Sequence, residues 1–270
     1  MMNKPINFRF VVIIGSCTLL FACNKAPSFA ELCDEHPKIC NEFKEDYWCK
    51  TERIAVGFSN LAHQKKPEDL QKIDQLMSYE NYAQCMVHAS KIEHNKFKEK
   101  QGMRINNAVN ANKRIKEISD STLNSNHPRL LYYHWSRYLN KDALQKFLAL
   151  ENTKELETPN LQLNLATYYA KIDQSKTLNL LYHALELTDV DEPIDTEIFK
   201  SISTIFAEKK EYKKVYIWSK VLTSYSPDDK TINTLSLNKY AQAFNLDHEF
   251  LDRVASKILD TILQGEFIKP

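Results

Sequence analysis

The segment NLQLNLATYYAKIDQSKTLNLLYHALELTD, residues 160–189, contains two stretches of apolar residues with a short break at residues 172–174. On both sides of the break the apolar residues recur every three or four positions, which is the spacing of one face of an α-helix. The segment therefore predicts a helix, a tight turn and a second helix. Segments with the same plan flank it at residues 128–155 and 195–229.

The second helices of the three predicted hairpins align with one another. They are ALQKFLALENTKE (143–155), TLNLLYHALELTD (177–189) and VYIWSKVLTSYSP (215–227), at offsets of 34 and then 38 residues. A helix-turn-helix period of 34 residues is typical of tetratricopeptide repeats. The hairpins resemble a degenerate tetratricopeptide or Sel1-like array, although Ser219 is polar where the repeat has an aromatic residue and no first helix carries the expected Trp and Gly.

Glycine is scarce, with four residues in the chain. Phosphate-binding loops, nucleophile elbows and the tight turns of sheets require glycine at fixed positions. The patterns GxGxxG, GxxxxGK[ST] and GxSxG are absent, and so is β-branched alternation bounded by turn residues. The sequence therefore predicts an all-α fold.

The fold is predicted to have two parts joined by the polar loop 119–128. Residues 128–270 form a tetratricopeptide-like α-solenoid, in which Asn160 caps a helix and the amphipathic segment 247–263 caps the array. Residues 33–118 form a helical, disulfide-held region that begins with an irregular stretch over 33–49. The helices predicted in this region are 51–64, 67–77, 80–93 and 96–118.

The amino terminus has the layout of an export signal. Lys4 and Arg9 precede an uncharged run over residues 10–22, which is too short to cross a bilayer. The run ends in Leu-Phe-Ala-Cys and resembles the bacterial lipobox, with a Phe bulkier than the usual residue. The resemblance implies that residues 1–22 are removed as a signal peptide and that Cys23 is lipidated.

Lipidation predicts a membrane-anchored protein with a short tether over residues 23–32. Several acyl chains together anchor a protein durably, whereas one binds only marginally. Asn24 is not the Asp that retains such lipoproteins at the inner membrane, so we expect the outer membrane of a Gram-negative cell, facing the periplasm. The alternative is an ordinary signal peptide, cleaved after Ala26 or Ala30.

Four cysteines remain for structure, namely Cys33, Cys40, Cys49 and Cys85. An even number in an oxidising compartment predicts two disulfides, and three pairings are possible. We favour Cys33–Cys40 with Cys49–Cys85, since the first closes a short local loop and the second ties the amino-terminal segment to a later helix. The alternative is a zinc site, because Cys85 and His88 lie one turn apart on one helix.

The charge and the motif search exclude several functions. Signal removal leaves 34 basic and 35 acidic residues, so the chain lacks the basic excess that nucleic-acid binding requires. The eight histidines include no HExxH motif and no pair at i, i+4. With its thiols oxidised, the chain also lacks a cysteine nucleophile. We therefore predict no enzyme activity, no cofactor and no metal.

Four further segments of the chain are distinctive, namely ELCDEHPKIC (31–40), YWCK (47–50), NYAQCMVHAS (81–90) and YYHWSRYLN (132–140). Together with the lipobox and the hairpin segments quoted above, they resemble a family of uncharacterised gammaproteobacterial lipoproteins, the domain of unknown function DUF2989. The resemblance implies a bacterial envelope lipoprotein and supplies no activity or catalytic residue.

The predicted function is a protein-interaction scaffold whose concave surface holds a segment of another envelope protein. Aromatic side chains are candidates for lining this groove, although aromatic residues at helical spacing also pack between helices. The candidates are Tyr132, Trp135, Tyr168, Tyr169 and Trp218. The alternatives are an envelope hydrolase or accessory factor in peptidoglycan metabolism, and a purely structural cap for a larger complex.

Overall fold

The computed structural model describes residues 27–92, 99–229, 231 and 234–269, and every regular element in these ranges is helical. The predicted all-α fold is confirmed. The predicted signal peptide and Cys23 lie outside the described residues. Of the helices in the described ranges, none combines the length and apolar composition that a membrane span requires.

The amino-terminal region is built on two long helices, α4 and α5, which pack along each other, with α3 packed on α4. Helix α4 is continuous where we predicted two helices, because Tyr79, at the predicted break, is buried and no Pro or Gly interrupts the segment. The described helices of this region are α1 (Phe29–Glu35), α2 (Pro37–Cys40), α3 (Lys50–Lys65), α4 (Asp69–Ser90) and α5 (Glu99–Ser121).

Two disulfides cross-link this region. Cys33–Cys40 joins α1 to α2, and Cys49–Cys85 joins the residue before α3 to the last third of α4. This is the pairing that we favoured from the sequence. Since the sulfur of Cys85 is bonded to Cys49, it is not a free thiolate beside His88, and the zinc alternative is wrong.

The segment before α3 is more ordered than we predicted. Helix α1 begins inside the predicted tether, where the Ser28 side chain accepts a hydrogen bond from the backbone N–H of Glu31 at 3.3 Å. Leu32 is buried, and a Cβ at Gly57 of α3 would lie 2.6 Å from the Phe29 ring. A close approach of α1 to α3 therefore removes residues 29–32 from the tether.

Three helical hairpins follow, as the spacing of apolar residues predicts. The Asn140 side chain caps the second helix of the first hairpin, and Asp173 caps that of the second hairpin; each accepts a backbone hydrogen bond at 3.0 and 2.9 Å. The predicted turns near residues 140 and 172–174 are thus confirmed. The hairpins are α6 (Pro128–Tyr138) with α7 (Lys141–Ala149), α8 (Pro159–Tyr169) with α9 (Gln174–Glu186), and α10 (Glu197–Glu208) with α11 (Tyr212–Tyr225).

Two further helices pack on α11 at the carboxy-terminal end. Helix α13 (His248–Leu263) is the predicted capping helix, and it contributes Ala255, Leu259 and Ile262 to the core of the last hairpins. Helix α12 (Thr234–Ala243) was not predicted from the sequence. The array therefore ends in a packed pair of helices rather than in one.

The array is continuous with the amino-terminal region. Leu130 and Tyr133 of α6 are buried in the same apolar cluster as residues of α4 and α5. The connecting loop is shorter than predicted, since α5 ends at Ser121 and α6 begins at Pro128. The first hairpin is therefore packed on both sides, and α4 serves as the cap at its amino-terminal end.

Candidate functional site

A groove of about 620 Å³ follows the first helices of the three hairpins, α6, α8 and α10, and also touches α4. We call it the α6/α8/α10 groove. Helix α8 lines it with Asn160, Asn164 and Thr167, which are spaced at i, i+4 and i+7 and so share one helix face. Helix α6 contributes Tyr132, and α10 contributes Ser201.

The start of α8 explains how this polar face is presented. The Thr158 side chain, rather than Asn160 as we predicted, accepts the capping hydrogen bond, from the backbone N–H of Leu161 at 3.4 Å. Pro159 occupies the first helical position, where its missing N–H costs nothing. Because the cap lies two residues earlier than predicted, the amide of Asn160 is free to face the groove.

The α6 side of the groove is basic. Arg129 pairs with Asp74 at 3.1 Å, and Arg137 binds both carboxylate oxygens of Glu80 through hydrogen bonds of 3.0 to 3.2 Å. The hydrogen bonds to Glu80 raise the pKa of Arg137 above its ordinary value, against the opposing effect of burial. These pairs hold the guanidinium groups in place along α6.

The α10 side of the groove is acidic. An oxygen of Asp195 accepts a hydrogen bond from the backbone N–H of Glu197 at 2.9 Å, and Glu197 pairs with Lys200 at 2.9 Å. Both carboxylates line the groove together with the basic side chains of α6. The groove therefore has ion-paired guanidinium groups on its α6 side, carboxylates on its α10 side and the amides of α8 between them.

Of the five aromatic residues predicted to line a groove, Tyr132 lines this one. Burial raises the pKa of its phenol, so it is neutral at physiological pH. Trp135, Tyr168 and Tyr169 are half-buried and continue from it as a chain of edge-to-face contacts, with ring centroids 4.9 to 5.5 Å apart. Trp135 and Tyr168 pack α6 against α8, Tyr169 packs beside Tyr168, and none of the three rings is part of the groove lining.

Trp218 corrects our prediction of a single aromatic groove. It belongs to α11, the second helix of its hairpin, and is only 3% exposed. It packs against Tyr182, Phe199 and Phe267, with centroids 5.8 to 6.3 Å away. The first helices of the hairpins form the surface that carries the α6/α8/α10 groove, and the second helices lie behind them. Because Trp218 is on a second helix, the prediction that it lines the same groove as Tyr132 is wrong.

His183 is a described histidine whose two ring nitrogens both lie within hydrogen-bond distance of carboxylates. Its Nε2 lies 2.8 Å from Glu157 and its Nδ1 lies 3.1 Å from Glu186. Burial lowers the pKa of His183, but the hydrogen bonds to both carboxylates outweigh that effect and raise it above its ordinary value. With both ring nitrogens engaged, His183 is suited to holding α9 against the connection before α8 rather than to accepting a proton from a substrate.

Asn164 is a groove residue that the sequence analysis missed. Its signal is a polar stripe, Asn160, Asn164 and Thr167, on a helix whose other faces carry the buried residues Leu161 and Leu165. An amphipathic helix ordinarily shows such a stripe to solvent. Only the packing of α6 and α10 on either side of α8 turns it into the floor of a groove.

Residues 20–220 match the model of a family described as a protein of unknown function, DUF2989. The chain belongs to this family. The matched part of this DUF2989 protein contains both disulfides and the whole α6/α8/α10 groove. Among curated proteins and among solved structures, none matches the chain.

Proposed function

We propose that this DUF2989 protein is a lipid-anchored scaffold of the cell envelope whose α6/α8/α10 groove holds an extended segment of another envelope protein. The observation that carries the proposal is the pair of free amides on the groove floor. Asn160 and Asn164 make no hydrogen bond to another described residue, and each side chain offers both donors and an acceptor.

The spacing of these amides suits an extended peptide. Residues four apart on a helix are separated by about 6 Å along its axis. An extended chain repeats every two residues, over about 6.6 Å. Asn160 and Asn164 are therefore spaced to hydrogen-bond successive peptide units on one edge of the bound segment, while Tyr132 packs against its side chains.

The charges of the groove orient the segment. Basic side chains on α6 and acidic side chains on α10 face opposite flanks of the bound peptide. A segment with acidic residues on one flank and basic residues on the other should therefore bind in one orientation only, with its acidic flank against α6. This selection supports the role of an adaptor with a specific partner. We propose no catalytic role and no cofactor for the groove.

The proposed location in the cell envelope is supported by the amino-terminal sequence and by the disulfides. Two disulfides are typical of an oxidising compartment. We propose that Cys23 carries the lipid and that the protein faces the periplasm from the outer membrane of a gammaproteobacterium. The hairpin period also supports a distant kinship with tetratricopeptide or Sel1-like repeats.

The groove is tested by photo-crosslinking in cells with a benzophenone amino acid at Thr167, which lines the groove and is exposed. We expect a discrete adduct whose partner is identified by mass spectrometry, and none from the same probe at Gln145, which is exposed on α7. Asn160→Ala with Asn164→Ala should abolish the adduct. An adduct that survives this double substitution would exclude the amides as the binding element.

The anchor is tested separately. Cys23→Ser should leave unprocessed precursor that does not incorporate labelled palmitate. Normal processing and labelling of this variant would overturn the lipoprotein assignment and leave the groove proposal intact.

A further inference from the structure

A second groove, of about 680 Å³, lies among the second helices α9 and α11, the capping helix α13 with the residues after it, and the carboxy-terminal end of α10. We call it the α9/α11/α13 groove. Its surface is mainly apolar and includes Leu178, Tyr182, Trp218, Val254 and Ile258. The volume is within the range of about 300–1,000 Å³ that is usual for small-molecule sites. No residue of this groove belongs to the α6/α8/α10 groove.

The carboxy-terminal residues build one wall of this groove. Gly265, with φ of 69°, reverses the chain after α13, a conformation that glycine adopts without strain. Phe267 is then buried against Tyr182 and Trp218, with centroids 6.1 and 6.3 Å away. The backbone N–H of Lys269 donates to Glu186 at 3.0 Å and holds the tail in place.

This closure limits the size of the occupant. A helix of about 10 Å diameter fills roughly 420 Å³ in each 5.4 Å turn, so the groove would hold fewer than two turns of a peptide helix. Two turns bury little apolar surface and form too short a helix for stable docking. A single hydrocarbon chain occupies much less volume per unit length than a peptide helix. It can therefore lie along the apolar surface of the groove over a longer distance.

The charged residues that line the groove favour an anion. Three lysines, Lys209, Lys214 and Lys257, face two carboxylates, Glu211 and Glu266. Lys214 pairs with Glu211 at 2.6 Å. Lys209 and Lys257 form no ion pair with any described residue. The lining therefore has a net positive charge beside an apolar surface.

We propose that the α9/α11/α13 groove binds a single-chain anionic amphiphile, of which a long-chain fatty acid is the simplest example. The hydrocarbon chain lies over Trp218 and Ile258, where it removes apolar surface from water. The carboxylate binds Lys209 and Lys257, which form no ion pair with any residue in the described part of the chain.

The test uses the chain from Asn24 to Pro270, exported so that both disulfides form, and isothermal titration calorimetry with palmitate below its aggregation concentration. We expect saturable binding with one palmitate per chain. Hexadecyltrimethylammonium, with a chain of the same length and opposite charge, should bind at least about tenfold more weakly. Absence of saturable palmitate binding, or equal affinity for both amphiphiles, would overturn the proposal.

Charge reversal locates the carboxylate. Lys209→Glu with Lys257→Glu should weaken palmitate binding by at least about tenfold. Lys141→Glu with Lys146→Glu, at two exposed positions on α7, is the matched control and should leave the affinity unchanged. Equal weakening by the control would show a nonspecific charge effect and refute the assignment of the two lysines.

Fluorescence locates the hydrocarbon chain without relying on affinity. A stearate brominated at mid-chain should quench the emission of Trp218, and Trp218→Phe should remove that quenching, since Trp48 and Trp135 do not line the groove. Val254→Trp fills the groove without changing its charge and should weaken binding of palmitate while the circular dichroism spectrum stays helical. A helical Val254→Trp variant with unchanged palmitate affinity would place the ligand elsewhere.

Discussion

The amino-terminal region and the hairpin array are both helical, but different interactions hold them together. Residues 27–121 contain both disulfides and a buried ion pair, in which Arg104 binds Asp46 at 2.7 Å. Buried amide and phenol groups add to this, since Asn107 donates to the Tyr82 hydroxyl at 3.0 Å. The hairpin array instead buries several apolar clusters, the largest of which crosses the last two hairpins and α13.

The difference follows from what each helix can bury. Helix α5 is largely polar, and its buried face includes Arg104 and Asn107 beside small apolar residues. Such a face needs partners of defined geometry, because a buried polar group without one is costly. The hairpin helices bury mainly apolar stripes. An apolar stripe needs a neighbouring helix of complementary shape but no specific hydrogen-bond partner. The first region thus adds particular polar pairs to its apolar cluster, whereas the array relies mainly on apolar packing.

The largest effect is expected from breaking the buried ion pair. Arg104→Met leaves the Asp46 carboxylate buried without its partner and should lower the free energy of unfolding by about 3–5 kcal/mol. Urea denaturation measures this. Lys113→Met, on the exposed face of the same helix, is the control and should change stability by less than about 0.5 kcal/mol.

The pH dependence of this pair has a definite sign. Burial raises the pKa of Asp46, but hydrogen bonds and charge from Arg104 outweigh it, so the pKa lies below 3.8. The pair therefore stabilises the fold above pH 3.8 and loses its contribution as the pH falls through the lower, folded-state pKa. An Arg104→Met variant as stable as Lys113→Met would show that the pair does not hold the region together.

The two disulfides close loops of different length within the amino-terminal region, so the losses of stability on removing each of them can be compared. Cys49→Ala with Cys85→Ala opens a loop of 36 residues, and Cys33→Ala with Cys40→Ala opens one of 7. The chain-entropy model gives losses of about 4 and about 2 kcal/mol. Denaturation of the two double variants measures both values. A larger loss from the short loop would show that native packing of α1, rather than chain entropy, dominates.

Overpacking the array should cost less than breaking the ion pair. Ala184 of α9 is completely buried in the apolar cluster. Ala184→Trp should lower the free energy of unfolding by about 1–3 kcal/mol, because the neighbouring helices must move apart. Ala207→Trp, at an exposed position on α10, is the control. Equal stability of the two variants would contradict close packing between the second and third hairpins.

The smallest effect concerns His183, which is one-third exposed and therefore screened by solvent. Because its pKa is raised in the fold, its contribution is complete below pH 6.5 and is lost as the pH rises through the folded-state value. His183→Gln should cost about 0.2–1 kcal/mol at pH 5.5 and close to nothing at pH 9. Thermal denaturation at both pH values measures this loss of stability. A larger loss at pH 9 than at pH 5.5 would contradict a raised pKa of His183 in the fold.

Much of the fold could be predicted because its signals are local. The break near Asn140 and the polar turn at Asp173 end one amphipathic helix and cap the next, so the hairpins follow from a few consecutive residues. Helix α12 escaped prediction because its buried apolar residues, Leu237 and Ala241, are a single pair at i, i+4 and not a repeating stripe. The continuity of α4 depends on burial of Tyr79, which its own segment does not reveal.

The sites were harder to predict than the helices. Tyr132 and Trp218 have the same kind of sequence context, an aromatic residue on an amphipathic helix, yet they line different grooves. The polar residues of α8 resemble an ordinary solvent-exposed stripe until α6 and α10 flank them. Sequence spacing identifies which side chains share a helix face but not which helix covers that face.

The sequence by itself determined the helical class, the three hairpins, the family and the cysteines available for disulfides, because each depends on local spacing or on residue type. Only the tertiary structure decided which helices face the grooves, and it alone joined Arg104 to Asp46 across 58 positions of the chain. The physical reason is that burial of a polar side chain depends on a partner brought by the fold, and no periodicity within one helix specifies that partner.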